Sequence, residues 1–259
     1  MSDGARFAYV QSRLQARHGR RLSEADWRML EATEDLAGYL QAARQTFFRD
    51  WIHHLAVGAG THEIERSLRQ DWEAYCAEVA GWLLPDWRPA VVWFSTIVYL
   101  PAVTHLARGG PAWRWMGADA ALEAVAIQDP ESRRQALAGS RYRELARAIA
   151  DGAEPLPAWL AVWEDTMAGR PVDALARRAE LAALLRRHFT TSHERAAETP
   201  DGRGRHLRQA LTRRFRGWAG GIGAVFTHLG LVALDAERLR AGLVLRALIP
   251  HSAGRPAWA

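Results

Sequence analysis

Residues 225–248 read VFTHLGLVALDAERLRAGLVLRAL. The first ten positions carry no charge. Asp235, Glu237, Arg238 and Arg240 then fall within six positions, and the segment ends apolar. Set on a helix, Phe226, Leu229, Val232, Leu239 and Leu243 form one apolar stripe. Asp235 and Arg238 are three positions apart, as are Glu237 and Arg240, so each pair is adjacent on a helix surface. An exposed pair of this kind contributes only about 0.3–0.5 kcal/mol. Breaking a buried one costs about 3–5 kcal/mol, so charges at the centre of a core helix must be partnered. The stretch therefore predicts a long helix with a short charged girdle and apolar ends.

The sequence just before it is basic. In RHLRQALTRRFRGW, residues 205–218, Leu207, Leu211, Phe215 and Trp218 recur at helical spacing. Arg205, Arg208, Arg213, Arg214 and Arg216 occupy the other faces, which makes a basic amphipathic helix. It reads either as a core helix with a solvated arginine face or as a contact surface for an acidic protein or lipid headgroups. No recognition-helix or RNA-binding pattern accompanies it, so nucleic acid is not an expected partner. Residues 177–216 hold eleven arginines against Glu180, Glu194, Glu198 and Asp201, a local charge of +7 in a chain of net charge +5.

Farther out, the pattern is helical almost throughout, and an all-α fold is expected. Thr61 opens the clearest helix, in which Ile64, Leu68, Trp72, Tyr75, Cys76, Val79, Trp82 and Leu83 share a stripe and Pro85 marks the end. Ser23 with Asp26 has the form of an N-cap, and Thr33 before Glu34 and Asp35 repeats it. Further helices are expected near 118–128, 130–150, 156–168, 172–190, 205–218 and 222–247. TPDGRGR, 199–205, reads as an exposed loop. Gly109-Gly110-Pro111 is the best internal boundary. It divides an N-terminal helical part, 1–108, from a C-terminal part, 112–249, packed on it as one unit, with 250–259 a loose tail.

Several function classes are excluded or left unsupported. All 34 basic residues are arginine. Without lysine there is neither a P-loop nor a pyridoxal Schiff base. Cys76, the single cysteine, rules out an intrachain disulfide and reads as a buried thiol. His62-Glu63 and His193-Glu194 each begin an HExxH motif, but the second histidine is missing in both. His53 and His54 are adjacent and diverge on a helix. Gly217, Gly220, Gly221 and Gly223 do not fit GxGxxG and read as close helix packing. The twelve tryptophans read as fillers between helices. No catalytic, cofactor or metal site is expected, and the chain does not read as an enzyme. Residues 1–21 contain no long apolar run, so no signal peptide is expected. Residues 89–107 and 217–234 are uncharged and barely reach the ~18–20 residues that span a bilayer. Both read as core helices, and a cytosolic setting fits best.

The closing segment, FTHLGLVALDAERLRAGLVLRAL, resembles that of the V-type ATPase central-stalk family (C-type in archaea and bacteria, d-type in eukaryotes). There an apolar helix runs into an acidic residue and then an Asn-apolar-Arg element, whose Asn is replaced here by Arg238. The N-terminus is similar too, through Tyr9, Arg13, Ala16, Leu22, Leu30, Leu40, Thr46 and Phe47, and HEIERSLRQDWEAYCAEVAGWL fits the following long helix. The likeness spans about two thirds of the chain, at both ends. The chain is shorter than typical members and lacks their lysines and their Asp…Asn-Leu-Lys element, in whose place stands YLPAVTHLARGG. The resemblance implies a funnel of helical bundles with pseudo-repeats, and a non-catalytic socket that couples a membrane rotor ring to a central stalk in proton transport. It implies protein partners in the cytoplasm, peripheral to the inner membrane. The alternative is a helical adaptor or regulatory protein whose basic helix binds an unrelated acidic partner or a membrane surface.

Overall fold

The structure, a computed structural model, describes residues 3–167, 169–194 and 200–249. Among them every regular element is helical and no strand occurs. In chain order the α-helices are α1 Asp3–Gly19, α2 Glu24–Glu31, α3 Leu36–Ala43, α4 Arg49–Ile52, α5 Thr61–Trp82, α6 Arg88–Ser95 and α7 Leu100–Ala107. They continue as α8 Pro130–Ala138, α9 Arg143–Ala150, α10 Pro155–Asp165, α11 Val172–Glu194, α12 Pro200–Gly217 and α13 Ile222–Leu248.

Helix α13 is the hub. It packs on α12 and α5 most extensively and also touches α1, α3 and α11. Every residue from Ile222 to Val232 is buried, which is why that half carries no charge. Beyond it only Asp235, Leu239 and Leu243 are buried, a single stripe facing the core. A helix of 27 residues is about 40 Å long. Half of it runs inside the protein and half lies on top.

Glycines set the approach of α12. Gly220 has φ +79°, a left-handed turn that closes the α12–α13 hairpin. A Cβ on Gly223 would meet the Trp218 ring at 2.9 Å, and one on Gly230 would meet Leu211 at 3.1 Å. Of the 217–223 glycines, Gly223 and Gly221 thus serve close packing, Gly221 beneath the Arg177 guanidinium; Gly220 serves the turn, and Gly217 has open space where a Cβ would stand. Farther along α13, Gly242 makes room for the Tyr39 hydroxyl of α3.

Aromatic side chains fill the spaces between α6, α10 and α13. Trp93, Trp159, Trp163, Phe94 and Phe226 form a continuous stack, with centroids 4.9–6.3 Å apart. The Trp72 indole N–H donates to the Ser95 carbonyl at 2.8 Å, and that of Trp159 to the Thr96 hydroxyl at 2.9 Å. Most of the tryptophans are thus core, although Trp113 is 47% exposed. Cys76 is fully buried, which pushes its thiol pKa up and leaves it inert. Pro85–Ala107 is long and apolar enough by composition to cross a membrane, and 56% of that window is buried against the rest of the protein.

Local chemistry corrects several boundaries. Ser23 caps α2 in a full capping box with Asp26. The cap of α3 is Asp35, whose carboxylate accepts from the Gly38 N–H at 2.8 Å, and not Thr33. The 130–150 helix is two helices. Between them the Ser140 hydroxyl donates to the Leu137 carbonyl and accepts from the Tyr142 N–H, a local alternative to the helical ladder. Residues 118–128 are turns, not a helix, because the Asp119 carboxylate takes the Ala121 N–H. Residues 200–205 are the first turns of α12, not a loop; Pro200 suits a first helical position. The tail at 250–259 lies outside the described residues. At the Gly109–Gly110–Pro111 boundary, Gly109 has φ +86°, and Arg133 of α8 reaches back to its carbonyl at 3.2 Å.

Candidate functional site

The charged girdle of α13 reaches farther than its own helix. Asp235 is 1% exposed and holds two arginines. Arg21, at the α1–α2 corner, donates from Nε to Oδ2 at 2.6 Å, and Arg208 of α12 donates to Oδ1. A carboxylate in this position needs such partners, because its desolvation is otherwise uncompensated. Arg238 does not pair with Asp235. It forks over Glu31 at 2.5 and 2.9 Å, bonds Glu24 at 3.0 Å, and stacks on the Trp27 ring. The expected Asp235–Arg238 pair is therefore replaced by ties to two other segments. One carboxylate buried between α1 and α12 has room for two guanidinium groups from them, while Arg238 points outward over α2. The Glu237–Arg240 pair does form, at 2.7 Å, and Arg240 adds Glu65 of α5 at 2.9 Å. Burial alone would lower the Arg238 pKa; the hydrogen bonds to Glu31 and Glu24 outweigh it and raise the pKa. The bonds to Glu237 do most to raise that of Arg240.

A buried histidine lies two turns before Asp235. His228 shares a 2.7 Å hydrogen bond between its Nε2 and the Tyr75 hydroxyl, and its Nδ1 has no partner. Burial first, then Arg21, His18 and Arg17, pushes its pKa down to about 3. It is a neutral imidazole at physiological pH. His18 packs on Phe215, and burial also lowers its pKa.

The five arginines of the basic helix divide into two groups. Arg208 is spent on Asp235, and Arg214 on Glu180 at 2.6 Å. Arg205, Arg213 and Arg216 are exposed and make no ion pair among the described residues. Tyr9 and Arg13 sit together on α1 and take no part in the girdle. The Arg13 guanidinium donates to the Tyr9 hydroxyl at 2.7 Å and lies 4.4 Å above the Trp82 ring of α5.

Other polar groups brought together by the fold are not apparent in the sequence. Asp119 is fully buried and paired with Arg69 at 2.9 Å. Arg133 is 2% exposed and satisfied by the carbonyls of Ile127, Gln128 and Gly109. His54 Nε2 is 2.5 Å from the Ser67 hydroxyl, and that same nitrogen is 3.8 Å from Asp71. Burial pushes the Asp71 carboxyl up to about 6. This is a serine, a histidine and an aspartate in contact, but it is no nucleophilic triad. There the carboxylate orients the ring from the nitrogen opposite the hydroxyl, whereas here both oxygens face Nε2 and Ser67 is buried in mid-helix. The rings of His53 and His54 diverge at 84°. Among the described residues no three His, Cys, Asp or Glu side chains converge as metal ligands.

What the arrangement offers is a fixed internal charge network beneath an exposed arginine row. No family model, curated protein or solved structure matches the chain.

Proposed function

We propose that this chain is a non-catalytic helical socket or adaptor, of the kind that joins the membrane rotor ring of a V-type ATPase to its central stalk. The observation that carries this reading is the meeting of the two chain ends on which the resemblance rests. Helix α1, with Tyr9 and Arg13, packs directly on α13. The α1–α2 region is then tied to α13 through Arg21–Asp235 and through Arg238 with Glu24 and Glu31. A part that transmits force requires such cross-ties, since rigidity comes from contacts distant in sequence. In this reading the helices form a funnel of pseudo-repeated bundles, cytoplasmic and peripheral to the inner membrane. Arg205, Arg213 and Arg216 face an acidic partner, where charge complementarity sets register and association rate.

The second reading is a helical adaptor or regulatory protein that meets an unrelated acidic partner or membrane surface. It is favoured by those same three arginines, which pair with no carboxylate among the described residues. One experiment separates the two. The tagged protein is purified from its native cells in mild detergent, and the proteins retained are identified by mass spectrometry. Recovery of rotor-ring and stalk proteins, lost on R205E/R213E/R216E, supports the socket. Recovery of other proteins in their place, or of none, sinks it.

A further inference from the structure

The α1–α2 corner faces the α3–α4 corner across an open cleft of about 570 Å³. Arg20, just after α1, Arg44, at the end of α3, and Arg49, at the start of α4, all line it, together with Gln45 and His53. Asp50 is the single carboxylate in the lining. Arg20 and Arg49 are exposed and make no ion pair among the described residues. Arg44 is different. It is half-buried, its Nη2 donates to the Leu55 carbonyl at 2.7 Å, and its Nε is shut from solvent with no acceptor. That leaves one guanidinium held in place and two free to swing toward it.

Three like charges gathered around one hollow repel one another, and an anion placed among them relieves that repulsion. Elsewhere in this protein converging arginines are met by carboxylates, as Arg21 and Arg208 are by Asp235. Here the lining keeps an excess of two positive charges over Asp50. A phosphate monoester carries about −1.5 to −2 at pH 7 and presents three acceptor oxygens. Guanidinium forks suit those oxygens better than point charges do. A neighbouring hollow shares Arg20 and Gln45 and continues past Leu22 and Met29, so a group carried on an apolar molecule has somewhere to rest its remainder. We propose that the Arg20–Arg44–Arg49 cleft is a binding site for a phosphate group, either free in solution or borne by a lipid headgroup.

The site is tested on the full chain by titration calorimetry with inorganic phosphate. Co-sedimentation with phosphatidylcholine vesicles, with and without phosphatidic acid, tests the other source. Saturable binding is expected, weakened about tenfold by either R20E or R49E, because each removes a charge-assisted contact. Both residues are exposed and unpaired among the described residues, so the variants should melt like the parent, and R49Q provides a milder check. R114E, exposed in the turn after α7 and outside the cleft lining, should bind as the parent does. Capture only by vesicles containing phosphatidic acid makes the ligand a headgroup; saturable binding of inorganic phosphate makes it soluble; either supports the site. The proposal is overturned if neither probe binds, if R20E and R49E bind like the parent, or if R114E weakens binding as much as they do.

Discussion

Helices α12 and α13 are joined by four residues, and both carry clustered charge, yet they use it in opposite ways. On α13 each charged side chain of the girdle has a partner: Asp235 with Arg21 and Arg208, Arg238 with Glu24 and Glu31, Arg240 with Glu237 and Glu65. On α12 Arg205, Arg213 and Arg216 are exposed and make no ion pair among the described residues, although Arg205 stands near enough to Glu24 to help hold its carboxyl pKa down. The same residue type acts as an internal tie in one helix and as an outward-facing cation in the next. Burial decides which. A charge withdrawn from water is retained only when it is compensated, whereas a solvated one needs no compensation.

The contrast is most easily broken at its buried end. Asp235→Ala leaves Arg21 and Arg208 facing each other without their carboxylate. Unfolding in urea should show a loss of about 3–5 kcal/mol. A loss below about 1 kcal/mol would mean that the girdle is no tie.

A second test uses pH. His228 has a folded pKa of about 3, below its ordinary 6.5. The unfolded chain therefore binds more protons between those values, and stability is full above pH 6.5 and falls as pH drops toward 3. The slope approaches ~1.4 kcal/mol per pH unit, or roughly 2–3 kcal/mol between pH 6.5 and 4.5. Asp71 acts in the opposite sense. Its folded pKa, about 6, lies above its ordinary 3.8, so its contribution is present below 3.8 and lost as pH rises through 6. Thermal melts across pH 4–7.5 should show the acid loss dominating, and His228→Gln should flatten it. An unchanged slope in that variant would assign the acid sensitivity to other groups.

The smallest effect is expected on α12. R205E/R213E/R216E should shift stability by less than about 0.5 kcal/mol per site, as for exposed residues without partners. A much larger loss in the melt would show that these arginines hold the fold and are not a free surface.

Part of this contrast is legible in the sequence and the rest is hidden, for a physical reason. Helix spans follow from periodicity that neighbours on the chain already contain, so α5 and α13 stand out in the residues themselves. The Glu237–Arg240 pair is equally local. Asp235 escapes the local rule: spacing of i,i+3 offers Arg238, and nothing nearby shows that Arg21, 214 positions away, will arrive first. Arg69–Asp119 and the approach of His54 to Ser67 are hidden likewise, since their members meet only after α5 has packed, whereas Ser67 and Asp71 are neighbours on α5 itself. Residues 118–128 have the composition of a helix, and Asp119 overrides that propensity by turning its carboxylate onto the backbone.

Because α13 provides the surface on which α1, α3, α5 and α12 all rest, the order of events during synthesis is constrained. The earlier helices emerge from the ribosome with their apolar stripes facing a space that nothing yet occupies. Arg21 spends that interval without the carboxylate that will hold it. Only when residues 222–248 are made can these four helices close on their common surface, a step that joins distant parts of the chain. A nascent chain halted before Asp235 should be bound by chaperones, and one released just past Leu248 should not.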